Sequence, residues 1–79
     1  MQNKDVIGYK YSDEVRHSYS EQSDFAHMVL NALGVKITEV SLNMHTNTPA
    51  EIITFLDNTD KYTVEITKDG IRLLNRCIA

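Results

Sequence analysis

Several residue types are scarce in this 79-residue chain, which has one cysteine, one proline, three glycines and no tryptophan. The single cysteine, Cys77, excludes a disulfide within one chain and a zinc site built from several thiolates. No stretch approaches the roughly 18 consecutive apolar residues that a membrane-spanning helix needs. The start of the sequence also lacks the apolar run of an export signal. We therefore expect a cytoplasmic protein without membrane contact.

A dominant charge of one sign is also lacking, since the formal net charge is −3 and no block of like charges occurs. The charge therefore disfavours nucleic-acid binding, which depends on clustered Lys and Arg. The composition, 42% hydrophobic and 24% charged, is that of a globular protein and fits a single domain, 1–79. So short a core supplies only about 3–5 kcal/mol of net stability. Self-association is a common remedy, so we expect a homodimer.

The first half of the chain predicts a strand, a helix and a second strand. Residues 5–12 alternate as a strand does, with Ile7, Tyr9 and Tyr11 on one face. Residues 24–34 have the apolar spacing of a helix that ends at Gly34, and the rhythm also allows a longer helix from about Ser12. In the strand predicted at 35–44 the apolar parity changes midway. A bulge at Thr38–Glu39 would explain this change, and so would partial cover on both faces.

The second half predicts a helix followed by a hairpin. Thr48 to Glu51 match a capping box, with Pro49 at the first helical position of a helix that ends near Asp57. Residues 61–78 read as two strands joined at Asp69–Gly70. A two-residue turn there places Ile66 opposite Leu73, and a three-residue turn shifts the pairing by one. The predicted fold is α+β: a small, mostly antiparallel sheet, in chain order β-α-β-α-β-β, with two helices on one face.

The last strand is apolar on both of its faces, which is unusual for a sheet covered by helices on one side only. Leu74 and Ile78 lie on the face expected to be wet, beside Arg72 and Arg76. Glu65 is expected near both arginines, as a charge cluster across the strands. These four residues, Arg72, Leu74, Arg76 and Ile78, are our candidate interface for a partner or for a second copy.

Residues that lack an obvious structural role suggest a second kind of site. His45 and Asn47 stand in the turn before the predicted capping box, and Tyr9 and Tyr11 stand in the first predicted strand. Together with Arg72 or Arg76 they are candidates to bind a small ligand, a nucleotide or an anion, at a dimer interface. The tyrosines with Lys10 and Arg16 would also suit weak binding of nucleic acid.

No catalytic set stands out in the sequence. Ser23, Asp24 and His27 can be drawn as a triad, but none lies on a strained turn or near an evident oxyanion hole. Asp24 and His27 are more simply a solvated helix face, and Cys77 is expected to be a buried thiol. We predict no metal, no cofactor and no enzymatic activity.

The sequence is thus typical of a small, acidic, non-enzymatic protein that regulates or inhibits a partner protein. Proteins of this kind include many that phages and other mobile elements encode. Small-ligand binding and weak nucleic-acid binding are the alternatives.

Overall fold

The computed structural model describes residues 12–43 and 48–78. These residues form one helix followed by four strands: α1 (Asp13–Leu33), β1 (Lys36–Asn43), β2 (Ala50–Asp57), β3 (Asp60–Thr67) and β4 (Gly70–Cys77). The strands form one antiparallel sheet in the order β1-β2-β3-β4, so that β1 and β4 are its edges. The α+β class and the antiparallel sheet are confirmed. The predicted order β-α-β-α-β-β is wrong, because the described residues have the order α-β-β-β-β, with one helix where two were predicted. The strand predicted at 5–12 lies almost wholly outside the described residues.

Helix α1 takes the longer of the two extents expected from the sequence. The Ser12 side chain caps it by accepting a hydrogen bond from the Val15 amide at 3.2 Å. Two acidic residues occupy the first turn, where their negative charge interacts favourably with the positive end of the helix dipole. The helix ends at Gly34, which has a φ of 70° and donates its N–H to the Asn31 carbonyl. The predicted role of Gly34 is confirmed.

Strand β1 contains the predicted bulge, because the register shifts between Ile37 and Glu39 and leaves Thr38 without an opposite residue. The Thr38 hydroxyl donates to the Thr54 carbonyl at 3.2 Å. The extra residue brings Ile37 and Val40 to the same face, opposite Phe55 and Ile53. This resolves the change of apolar parity in the sequence.

The helix predicted from Pro49 to Asp57 is wrong, because this segment is β2. Ile52, Ile53 and Thr54 are branched at Cβ, which lowers helix propensity and favours strands. Asn58 then has a φ of 59° in the two-residue turn to β3, a conformation that asparagine tolerates well. The predicted capping box is therefore also wrong.

The β3–β4 hairpin is confirmed, but its predicted register is not. The Thr67 hydroxyl accepts the Asp69 amide at 3.2 Å, and Thr67 pairs with Gly70. The turn is therefore Lys68–Asp69, and Ile66 lies opposite Ile71 rather than Leu73. Gly70 follows the turn with a φ of 133°, which L side chains rarely adopt. A second bulge, at Leu74, places Arg76 opposite Tyr62.

The hydrophobic core lies between α1 and the two central strands. Its buried members are Tyr19, Ala26, Leu30, Ile53 and Ile66. A helix is about 10 Å wide and strands are about 4.8 Å apart, so one helix covers roughly two strands of the four. Helix α1 packs mainly against β3 and β4. The same face of β1 is therefore left uncovered at Val40 and Leu42, and Ile71 and Leu73 stay partly exposed along the outer side of β4.

Candidate functional site

A buried carboxylate joins the helix to the sheet. Glu51 of β2 is only 5% exposed. Its Oε1 accepts hydrogen bonds from the Ser23 hydroxyl at 2.6 Å and the Tyr19 hydroxyl at 3.3 Å, and its Oε2 lies 2.9 Å from His27 Nε2. The three helical residues are four positions apart, so they lie along one side of α1. We call these four residues the Glu51 cluster.

The Glu51 cluster satisfies a charge that would otherwise destabilise the fold. An ionised carboxylate out of water costs several kcal/mol unless hydrogen bonds compensate it. Here three donors from α1 supply that compensation, so the helix can dock only in the position that brings them to Glu51. The hydrogen bonds of the cluster therefore fix the position of the helix on the sheet.

The cluster also changes the acid–base behaviour of Tyr19. Burial, with the negative charge of Glu51 as a second cause, raises the pKa of Tyr19 to about 12. The phenol therefore remains a hydrogen-bond donor to Glu51 well beyond neutral pH.

The hydrogen bonds do not assemble the serine–histidine–aspartate set drawn from the sequence. Ser23 and His27 each contact Glu51, whereas a triad needs the histidine between the serine and the acid. Asp24 is exposed, as predicted for a solvated face, but His27 is half-buried and bonded to β2. The expectation that His27 lies in a solvated stripe is therefore wrong.

The predicted interface residues lie on or just beyond β4, an edge strand that pairs only with β3. Leu74 is 45% exposed and Ile78 is 69% exposed. Arg72 donates to Glu65 at 2.8 Å, as expected. Arg76 does not join that cluster, because the bulge at Leu74 turns it towards Asp60, at 3.5 Å, and over the Tyr62 ring.

Arg76 lies at the end of a row of two stacked aromatic rings that crosses the sheet. Its guanidinium carbon lies 5.4 Å from the centre of the Tyr62 ring, and Tyr62 stacks on Phe55 with the ring centres 5.3 Å apart. Such a contact stabilises a partly exposed cation by roughly 0.5–1 kcal/mol. The row holds Arg76 on the helix side of the sheet, since it shares that face with Phe55.

An apolar cleft of about 130 Å³ opens between α1 and the sheet on the β4 side. Its lining is wholly apolar: Phe25, Ala26, Val29, Leu30, Phe55, Val64 and Ile71. Phe25 is 53% exposed and Ile71 is 44% exposed, so the rim of the cleft is open to solvent. Leu73, two residues along the same face of β4, extends this apolar surface at 56% exposure.

The other candidate residues cannot be placed in this surface. Tyr9, Tyr11, His45 and Asn47 lie outside the described residues. Cys77 was expected to be buried and is exposed, because it pairs with Lys61 on the face of the sheet that α1 does not cover. Over residues 12–43 and 48–78, no three His, Cys, Asp or Glu side chains converge as metal ligands. Within the same ranges, α1 is too polar to cross a membrane.

Comparison of the chain with protein-family models, with curated proteins and with solved structures gives no match in any of the three.

Proposed function

We propose that this protein is a small non-enzymatic binding protein that regulates or inhibits a partner protein through the surface of β4. The observation that carries this proposal is the exposure of Leu73, Leu74 and Ile78 on or next to one edge strand, at 56%, 45% and 69%. Large apolar side chains that cluster in this way on a small domain are typical of an interaction site.

The backbone of β4 supports the same proposal. An edge strand presents N–H and C=O groups that its own sheet does not pair, and another chain can add a strand there. Arg72 and Arg76 flank the apolar residues and remain substantially exposed, with 71% and 49% of their side chains in solvent. Arginine around an apolar centre is a common composition of protein interfaces.

The Glu51 cluster supports a binding role in another way. The hydrogen bonds of its side chains are made within the protein, between helix and sheet. Glu51, Ser23 and Tyr19 are thus engaged in attaching the helix. The exposed side chains of β4 include Ile71, Leu73 and Leu74. An apolar surface of this kind suits a protein partner better than a nucleotide or an anion.

The test compares three purified variants with the wild-type protein in capture experiments from host cells. Leu74→Asp and Ile78→Asp place a charge at the proposed surface. Val40→Asp is the matched control, because Val40 is 47% exposed on the opposite edge. We expect wild type and Val40→Asp to retain one host protein that the two β4 variants lose. That host protein, once purified, should bind to purified wild type. Equal capture by all four proteins would refute the proposal.

A further inference from the structure

We draw no further inference here: the strongest candidate, the apolar cleft between α1 and β4 that Phe25, Val29 and Ile71 line, carries none because nothing in the structure shows what covers it.

Discussion

Replacing Glu51 by alanine should remove the hydrogen bonds that attach α1 to the sheet. Three donors lose their acceptor at once, and the Tyr19 hydroxyl is left in a position that is 9% exposed. A buried donor without a partner costs about 1–3 kcal/mol. We therefore expect Glu51→Ala to lower the free energy of unfolding by roughly 3 kcal/mol. Since so small a core supplies about 3–5 kcal/mol, the variant should be close to unfolded.

Urea unfolding followed by circular dichroism measures this loss by linear extrapolation. Glu51→Gln keeps one carbonyl oxygen for Ser23 and should cost less, about 1–2 kcal/mol. Glu65→Ala is the matched control on the neighbouring strand, because Glu65 accepts from one arginine that is 71% exposed. Its loss should cost no more than about 1 kcal/mol. A Glu51→Ala variant as stable as Glu65→Ala would show that the cluster does not hold the helix in place.

Two further predictions concern Tyr19 and Gly34. The pKa of Tyr19 is raised from 10.0 to about 12, so its contribution to stability is complete below pH 10 and is lost as the pH rises towards 12. The tyrosinate absorbance of wild type should include a late-titrating phenol that is missing in Tyr19→Phe. Ionisation of all tyrosines near pH 10 would contradict this. Gly34→Ala should cost about 1 kcal/mol in urea unfolding because its φ is 70° although the space around it is open, and an unchanged midpoint would contradict that reasoning.

The parts of the fold that could be predicted from sequence are those with a local cause. Gly34 ends a helix because it tolerates positive φ, and the bulge beside Thr38 follows from a change of apolar parity within eight residues. The β2 segment was misread because its apolar residues, Ile52, Ile53 and Leu56, fit a helical spacing as well. Their preference for a strand becomes decisive only when β1 and β3 pair on both sides, and such pairing is not local.

The candidate site also has features with a local signal in the sequence and features that depend on distant residues. The apolar content of the last strand shows that Leu74 and Ile78 cannot both be covered, but the bulge at Leu74 breaks the alternation that placed them on one face with Arg72 and Arg76. The Glu51 cluster was missed because it joins residues 24 to 32 positions apart. One signal was present, since Tyr19, Ser23 and His27 recur at a spacing of four. Reading it required knowing that Glu51 is in a strand facing the helix, and the apparent capping box hid this.

The most direct test of the central claim is photo-crosslinking in the host cell, with a photoreactive amino acid placed at Leu74 of β4 or at Val40 of β1. The two positions are exposed to a similar degree, 45% and 47%, on opposite edges of the sheet. We predict a discrete crosslinked species from position 74 and none from position 40. Equal crosslinking from both positions, or none from position 74, would contradict the claim that β4 is the binding surface.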